Sequence, residues 1–289
     1  KAINYISPFG FPREKLNKDL SLALGASAVT PLELATGYTV LANGGFQVKP
    51  YFIERIEVGS EEEALFQANP LQACLECTIA AENPTQPDDM QSMQDEDQAL
   101  LNALNDTLAK DLPLAAAPAI KLAPRIMDER THFIMNNMLQ DVIKRGTGKR
   151  ALALNRNDLA GKTGTTNDQK DAWFSGYNRD LVTSVWIGFD QPRTLGRWAF
   201  GGNTALPVWV DYMGAMLADK KHRPFPQPDG IANVRIDPET GLLAQPGQAN
   251  AIFELFKQEQ IPARDTSKQG TAEQHNNDDE EESSPELLF

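Results

Sequence analysis

The sequence predicts a mixed α/β fold in which helices flank an antiparallel sheet. Two observations lead to this prediction: helix signals at about 31–42 and 128–144, and three successive strand-like segments at 159–166, 172–177 and 181–189. Only a few residues separate these strands, which favours antiparallel pairing because parallel strands need long crossovers. The chain has 289 residues, of which 41% are hydrophobic, so it can bury a substantial core.

The first helix has a clear start signal. The Thr30 hydroxyl can accept a hydrogen bond from the Glu33 N–H, and the Glu33 side chain can reach back to the N–H of Thr30. Pro31 occupies the first helical position, where its missing N–H costs nothing. We expect the helix to run to about Ala42 and to end at Asn43-Gly44-Gly45.

The segment after this helix changes character twice. Residues 46–56 predict one or two short strands, broken by Pro50. Residues 58–124 are then rich in acidic residues, proline and alanine, and only 96–111 predict a short helix. Because this stretch is too long for an ordinary loop, we expect an acidic inserted lobe that is partly mobile.

The second helix, from about Asp128 to Lys144, is amphipathic, and Arg145-Gly146 ends it. Its predicted apolar face consists of residues at spacings of three and four: Ile134, Met138 and Val142, with Met135, Leu139 and Ile143 beside them. Of the three strands that follow, 181–189 is almost continuously apolar, which is typical of a strand covered on both sides. We therefore expect this strand to be the central one.

The C-terminal third predicts a third helix from Pro207 to about Asp219 and a small strand pair within 231–256. Beyond Pro262 the chain is polar and acidic, which predicts disorder. The expected organisation has five parts: a first piece of the main domain at 1–57, the acidic lobe at 58–124, a second piece of the main domain with the Lys162 strand at 125–222, a small segment at 223–261, and a disordered tail at 262–289.

The net charge of −13 is unevenly distributed. Residues 54–112 carry a net charge of −12 and residues 262–289 a net charge of −6, so the remaining residues carry +5. Nucleic acid is therefore not an expected partner of the acidic segments, whereas the remainder is compatible with an anionic substrate. The chain opens Lys1-Ala2-Ile3 as if within a helix, and we expect further sequence upstream.

No cofactor and no metal site are expected. The two cysteines, Cys74 and Cys77, form a Cys-Leu-Glu-Cys motif, and zinc would need two further ligands. The three histidines, His132, His222 and His275, do not have the spacing of metal ligands. A local disulfide or two idle thiols is the preferred interpretation, and a redox or metal role is the alternative.

Residues 161–166, Gly-Lys-Thr-Gly-Thr-Thr, contain the most informative chemistry of the sequence. Gly161-Lys162-Thr163 matches the second half of a phosphate-binding loop, but the required first glycine is Arg156, and a strand rather than a helix is predicted next. A solvated lysine on a threonine-rich strand is the simplest alternative. The third interpretation is an active-site edge strand.

The residue types of this strand suit binding of a peptide carboxylate. Gly164 has no Cβ, so an extended peptide can lie along the strand as an added partner. The hydroxyls of Thr163 and Thr165 can donate to a terminal carboxylate, and Lys162 supplies the opposite charge and can relay a proton. The N–H of Thr165 can face an oxyanion, and the loss of one such donor costs roughly 10²–10³ in rate.

Eight short motifs in a fixed order resemble the transpeptidase domain of class A penicillin-binding proteins. They lie within residues 1–57 and 125–215; a weaker similarity includes the Cys-Leu-Glu-Cys region, the acidic insertion and the C-terminal segment. The motifs are Phe9-Gly10-Phe11-Pro12, Leu20 to Gly25, Thr30 to Ala35, Leu41 to Gly45, Met138 to Val142, Arg145-Gly146-Thr147-Gly148, Gly161 to Thr166, and Asp171 to Tyr177.

The resemblance implies a penicilloyl-serine-transferase fold, incomplete at its N-terminus, and a role in cross-linking peptidoglycan stem peptides by acyl transfer from D-Ala-D-Ala. β-Lactam antibiotics are the implied inhibitors, and an outer-membrane lipoprotein activator is a further implied partner. Lys162 is then the catalytic residue of the third family box, and Thr163, Gly164, Thr165 and Thr166 bind substrate. The implied location is the periplasmic face of the inner membrane, with the membrane anchor upstream.

The sequence also departs from the family pattern. The family needs a Ser-x-x-Lys nucleophile box and a Ser-x-Asn box, and no serine of this chain begins either. Both boxes precede the matching region in the family, so we expect this chain alone to be inactive. The alternative is a non-catalytic scaffold or partner-docking fragment.

Two further features have competing interpretations. Trp173 and Phe174 can flank substrate, but strand aromatics are more often core residues. The basic stretch from Lys144 to Arg150 can attract anionic peptidoglycan, but a solvated loop is the simpler interpretation.

Overall fold

The computed structural model describes residues 1–59, 64–74 and 121–264. The chain divides into two compact units, one comprising Lys1–Phe225 and one that begins at Pro226. Within the described ranges, no helix is both long and apolar enough to cross a membrane. The predicted helix at 96–111, most of the acidic insertion and nearly all of the predicted tail at 262–289 lie outside the described residues.

The first unit contains four α-helices in its described part: α1, Ala2–Ile6; α2, Pro31–Ala42; α3, Glu129–Lys144; and α4, Ala205–Met216. Short 3₁₀ segments lie at Ser7–Phe9, Arg13–Lys15, Leu20–Leu24, Lys149–Leu154 and Asn167–Gln169. Helix α4 begins two residues before the predicted start at Pro207. This is possible because Pro207 still falls in the first turn, where N–H groups have no partner within the helix.

Helix α2 begins with the predicted capping box. The Thr30 hydroxyl accepts a hydrogen bond from the Glu33 N–H at 3.2 Å, and the Glu33 carboxylate accepts one from the Thr30 N–H at 2.8 Å. After Ala42 the chain turns at Gly44 and Gly45, whose φ angles of 92° and 103° lie in the left-handed region. The predicted start and end of this helix are confirmed.

The predicted apolar face of α3 is wrong in part. Met138 is 57% exposed, whereas His132 and Asn136 are buried and Ile143 is 2% exposed. The buried stripe includes these two polar residues because each has a partner on a neighbouring element. His132 Nε2 donates to the Leu41 carbonyl at 2.6 Å, and Asn136 Oδ1 accepts from the Tyr177 hydroxyl at 3.0 Å.

Two short strands, β1 (Arg55–Ile56) and β2 (Phe66–Gln67), pair antiparallel after α2. Within the segment predicted as one or two strands, Phe46 also forms an isolated bridge with Arg125. Cys74, at the end of this region, is disulfide-bonded. This finding favours the local disulfide over idle thiols.

The main sheet consists of β3 (Ala160–Thr165), β4 (Asp171–Tyr177) and β5 (Val182–Gly188). Adjacent strands are antiparallel, as predicted, and the order is β3-β4-β5. Among the strands of the described residues, β4 lies in the middle, so the expectation that 181–189 is central is wrong for this part of the sheet. The apolar run of β5 has another cause: Val185 packs against the α4 side of the sheet and Val182 against the α2 and α3 side.

Helix α4 covers one face of this sheet with an aromatic contact. The rings of Phe174 and Trp209 lie edge to face with centroids 4.9 Å apart, and both residues are fully buried. The Trp209 indole N–H donates to the Thr183 carbonyl at 3.1 Å. Phe174 is thus a core residue. On the other face, α2 and α3 cover Ala160 and Tyr177.

An ion pair fixes the chain segment that leads into β3. Arg156 and Asp158 form two parallel hydrogen bonds of 2.9 and 2.8 Å, and their side chains are 6% and 0% exposed. The Arg156 guanidinium also donates to carbonyls of Leu217, Lys220 and Lys221, just beyond α4. Burial alone raises the pKa of Asp158, but the hydrogen bonds from Arg156 and from the Arg223 N–H outweigh it and hold that pKa below its usual value.

The second unit contains the predicted strand pair. Strands β6 (Ile231–Ile236) and β7 (Ile252–Lys257) are antiparallel, and a 3₁₀ segment, Gln258–Gln260, follows. Ile231 and Ile236 are buried within this unit.

Candidate active site

The predicted site residues lie together at one edge of the main sheet. Lys162, Thr163, Gly164 and Thr165 are in β3, and Thr166 follows it directly. Within the described part of the chain, β3 has β4 as its only strand neighbour. Lys162 lies inside a strand rather than at the start of a helix, which agrees with rejection of the phosphate-binding loop.

The antiparallel register places three rows of side chains on the face that carries Lys162. Ala160 and Tyr177 form a buried row under α2 and α3. Lys162, Ser175 and Ser184 form the next row, and Gly164, Trp173 and Trp186 the outermost. The Trp173 and Trp186 rings are 6.1 Å apart, and Trp186 is 37% exposed. The face therefore changes from dry core to open aromatic surface along the strand.

Lys162 is exposed and has a modest set of contacts. Its ammonium donates to the Thr163 carbonyl oxygen at 2.9 Å. Its cross-strand neighbour Ser175 is only 2% exposed and shares a 2.9 Å hydrogen bond with Ser184. Ser175 is thus occupied inside the sheet, and the lysine charge faces outward.

The backbone of β3 presents hydrogen-bonding groups at its open edge. The Thr166 N–H donates to the Asp171 carbonyl at 3.1 Å, toward β4. Successive N–H groups of a strand point to opposite sides, so the Thr165 N–H points away from β4. The carbonyl of Thr163, which accepts from Lys162, points the same way. A ligand lying along this edge meets a donor at Thr165 and a cation at Lys162.

The two hydroxyls of the box each have a partner on a neighbouring loop. Thr163 Oγ1 lies 2.7 Å from Thr147 Oγ1, in the loop after α3. Thr165 Oγ1 accepts a hydrogen bond from the Gly201 N–H at 3.0 Å, in the loop before α4. These two loops therefore fix the side-chain positions of both threonines.

Backbone contact at Gly164 and Gly201 is very close. A Cβ built on Gly201 would lie 2.3 Å from the Trp173 carbonyl oxygen and 2.6 Å from that of Gly164. A Cβ on Gly164 would lie 3.1 Å from Cβ of Trp173. The loop before α4 can rest on the strand only because Gly201 has no side chain, and Gly164 avoids crowding its cross-strand neighbour Trp173.

Asp171 fixes the turn that follows the box. Its N–H donates to Thr166 Oγ1 at 2.8 Å, and its carboxylate accepts from the Thr166 hydroxyl at 3.2 Å and from the Trp186 indole at 2.9 Å. Within the turn, Asp168 and Gln169 have positive φ angles of 59° and 50°. The Gln169 carbonyl accepts from the Leu195 N–H at 2.8 Å, which ties the turn to the loop beyond β5.

Sequence reasoning identified the box but missed its supports. Thr147 lies in the motif Arg145-Gly146-Thr147-Gly148, where the basic residues suggested an anion-binding loop. The two glycines beside Thr147 are a signal that the backbone approaches another element closely. Gly201 and Gly202 are adjacent glycines before a helix, which is a comparable signal. Asp171 opens the motif that runs to Tyr177, but no neighbouring residue in the sequence predicts its contact with Trp186.

Buried titratable groups lie beneath the covered end of the sheet. Burial raises the pKa of Tyr38 to about 12 and also raises the pKa of Tyr177, whose hydroxyl bonds Asn136. Burial lowers the pKa of His132 below its usual value, although its bond to the Leu41 carbonyl opposes the shift. All three groups are therefore uncharged at neutral pH.

The described residues contain no group of three or more His, Cys, Asp or Glu side chains arranged to hold a metal ion.

The basic stretch after α3, Lys144 to Arg150, makes local contacts with part of its side chains. Arg145 pairs with Asp141, and Lys144 Nζ donates to Gln140 at 3.0 Å. These contacts favour the solvated-loop interpretation.

Residues 8–206 match the family described as the penicillin-binding protein transpeptidase domain. The match includes more than half of the chain, and the chain therefore belongs to this family. The resemblance inferred from the eight ordered motifs is confirmed, and so is the mixed α/β fold of the penicilloyl-serine-transferase type.

Among individual proteins, the chain is 51% identical over 264 residues to penicillin-binding protein 1A of Pseudomonas aeruginosa, covering 91% of the chain and 32% of that protein. It is 38% identical over 230 residues to penicillin-binding protein 1A of Neisseria flavescens, covering 80% of the chain and 23% of that protein. The chain thus spans a third or less of the length of these relatives.

A crystal structure of penicillin-binding protein 1A from Haemophilus influenzae is similar to this structure. The TM-score is 0.71 at 35% sequence identity, and the similarity covers 91% of this chain and 37% of that one.

Proposed function

We propose that this chain supplies the substrate-binding edge strand of a serine-type D,D-transpeptidase that cross-links peptidoglycan stem peptides. One observation carries the proposal. Lys162 and the Thr165 N–H both face the open edge of β3, in a chain that belongs to the penicillin-binding transpeptidase family. This edge offers a cation and a backbone donor to an extended peptide.

In this proposal the stem peptide adds to β3 as an antiparallel strand. Its C-terminal carboxylate accepts hydrogen bonds from the hydroxyls of Thr163 and Thr165 and faces the Lys162 charge. Gly164 leaves room for the peptide backbone, and Thr166 holds the turn through Asp171. The contacts of Thr163 with Thr147 and of Thr165 with the Gly201 N–H support this role, because they hold both threonine side chains in place.

The proposed chemistry proceeds by acyl transfer in two steps. A serine hydroxyl attacks the carbonyl carbon of the D-Ala-D-Ala bond, and the oxygen that becomes negative accepts from the Thr165 N–H. The peptide bond then breaks, D-Ala leaves with the serine proton, and an ester remains. An amine of a second stem peptide displaces the serine and forms the cross-link. Lys162 stabilises the negative charge and assists the proton transfer.

No serine of this chain begins Ser-x-x-Lys or Ser-x-Asn, so none of them matches the attacking serine of the family. We therefore propose that these 289 residues alone do not form an acyl-enzyme. The same observation favours a second candidate function for the isolated chain, that of a non-catalytic scaffold or docking fragment.

The proposed setting follows from the family. The substrate would be peptidoglycan on the periplasmic face of the inner membrane, β-lactams would be covalent inhibitors of the complete enzyme, and an outer-membrane lipoprotein would be its activator. Nucleic acid is not a proposed partner.

Labelling with a fluorescent penicillin tests the proposal. We expect a covalent band from the full-length gene product that contains these residues and no band from the 289-residue chain. Boiling the full-length product before labelling provides the control for nonspecific attachment. A band at the mass of the short chain would contradict the absence of a nucleophile, and an unlabelled full-length product would contradict the transpeptidase proposal.

A further inference from the structure

The hydroxyl of Thr165 has a defined polarity. It accepts a hydrogen bond from the Gly201 N–H at 3.0 Å, and a backbone N–H can only donate. One lone pair of the hydroxyl oxygen is therefore occupied, while its own hydrogen remains available. The Thr165 hydroxyl can therefore donate this hydrogen to a ligand.

The hydroxyl of Thr163 lacks a backbone donor of this kind but has a hydroxyl partner. Its oxygen lies 2.7 Å from that of Thr147, and either group can be the donor. The direction of this bond is therefore decided by what else each hydroxyl contacts. An anion that accepts from Thr163 forces the bond into one direction, with Thr147 donating to the Thr163 oxygen.

Backbone hydrogen bonds of the loop after α3 hold Thr147 in place, and the Thr147 side chain takes no part in them. The Gly146 N–H donates to the Asp141 carbonyl at 3.0 Å, and the Gly148 N–H donates to the Val142 carbonyl at 2.8 Å. A Cβ on Gly146 would lie 2.9 Å from Cα and from the carbonyl oxygen of Val142, so the loop folds tightly onto the helix end. The backbone places Thr147, and its hydroxyl is left for Thr163.

We propose that Thr147 is a positioning residue that makes the Thr163 hydroxyl a donor specific for an anionic group of the ligand. In the bound state, Thr147 donates to Thr163, and Thr163 donates to the carboxylate. Each bond in such a chain polarises the next. The inference rests on the proposed function, because it assumes that the ligand presents its carboxylate to this strand.

The inference also explains why two hydroxyl-bearing residues face each other across 16 positions of sequence. A single threonine on β3 is free to rotate and to accept hydrogen bonds as well as to donate them. With the Thr147 hydroxyl donating to Thr163 and the Gly201 N–H donating to Thr165, each threonine of the box has one lone pair occupied and keeps its own hydrogen for a ligand. A neutral ligand group gains less from this arrangement than a carboxylate does.

The test compares Thr147→Val with Thr147→Ser in the full-length gene product. Valine has nearly the shape of threonine but no hydroxyl, and serine restores the hydroxyl. The measurement is the second-order rate constant of acylation by a penicillin and by its methyl ester, in which the carboxylate is masked. The control is Thr240→Val in the second unit, where the lost hydroxyl only accepts from the Leu242 N–H.

For the penicillin, we expect Thr147→Val to lower the acylation rate constant by about 3- to 10-fold, the range of one net hydrogen bond. Thr147→Ser and Thr240→Val should remain within about two-fold of the wild type, a difference below that range. For the methyl ester, Thr147→Val should also remain within this margin.

Each other outcome has a distinct meaning. If Thr147→Val acylates as fast as the wild type, or if it slows penicillin and ester equally, the positioning role is overturned. If Thr147→Ser fails to restore the rate, the hydroxyl is not the cause and the inference is overturned as well. If the wild type itself is not acylated, the proposed function fails, independently of Thr147.

Discussion

Arg156 and Lys162 lie six residues apart on the segment that enters and forms β3, and their environments are opposite. Arg156 is 6% exposed, forms a bidentate pair with Asp158 and donates to three carbonyls beyond α4. Lys162 is exposed and donates to one neighbouring carbonyl. The charge of Arg156 is bound up in fixed contacts of the fold, whereas the charge of Lys162 is exposed and is proposed to serve a ligand.

The largest expected effect comes from removal of the buried cation. Arg156→Met leaves the Asp158 carboxylate buried without its main partner, and breaking a buried pair in this way costs about 3–5 kcal/mol. We expect a corresponding fall in the free energy of unfolding of the full-length gene product, measured by urea denaturation. The matched control is Arg145→Met, whose exposed pair with Asp141 should contribute less than about 1 kcal/mol. An equal fall in the free energy of unfolding of both variants would contradict the distinction between the buried and the exposed arginine.

The second effect is on the reaction rather than on stability. Lys162→Ala should lower the acylation rate constant of the full-length gene product by about 10²-fold or more, the scale of a lost proton-transfer group. Its unfolding transition should stay within about 0.5 kcal/mol of the wild type, as for an ordinary surface substitution. Fluorescent-penicillin labelling measures the first quantity and urea denaturation the second.

Lys170→Ala provides the matched control for Lys162→Ala. Lys170 lies in the turn between β3 and β4, where its ammonium pairs with Asp168 at 3.5 Å. We expect its acylation rate constant to equal that of the wild type. Wild-type acylation in Lys162→Ala, or an equal loss in Lys170→Ala, would show that Lys162 has no special role.

The smallest expected effect concerns His132, a buried side chain that is neutral and has no ion pair among the described residues. The pKa of His132 is lowered in the folded state by burial, with Arg125 and Arg179 nearby, so the unfolded chain binds a proton first as the pH falls. The stability contributed by neutral His132 is thus present above about pH 6.5 and is lost as the pH falls below that value, at up to about 1.4 kcal/mol per pH unit.

Urea denaturation of the full-length gene product at pH 7.5, 6.5 and 5.5 measures this dependence. We expect His132→Gln to lose less stability toward pH 5.5 than the wild type, because glutamine can donate to the Leu41 carbonyl but cannot take up a proton. His222→Gln is the control, because the His222 side chain is exposed. A wild-type slope retained in His132→Gln would contradict the role of burial.

Local signals in the sequence were sufficient where the structure depends on neighbours in sequence. The start of α2 follows from Thr30, Pro31 and Glu33, because a capping box involves only residues within one turn. The proposed site residues from Lys162 to Thr166 could be singled out directly, because they are contiguous. The family assignment rests on short motifs whose order is itself a sequence property.

The failures have a common physical cause, which is that the deciding partner is distant in sequence. The buried stripe of α3 includes His132 and Asn136 because Leu41 and Tyr177 satisfy them, and helical periodicity contains no information about either partner. The apolar run of β5 indicated coverage on both faces, but it could not distinguish coverage by helices from a central position in the sheet. The supports of the box, Thr147 and Gly201, are likewise set by tertiary contacts.

The open edge of β3 has a consequence for how the protein avoids self-association. Unpaired backbone donors and acceptors along a strand edge attract strands of other molecules and can seed aggregation. A charged side chain in such a strand opposes this pairing, because a second copy would bring a like charge close to the first. Lys162 lies near the middle of this edge, so the charge proposed to attract a peptide carboxylate also disfavours pairing of the edge with another copy of the chain.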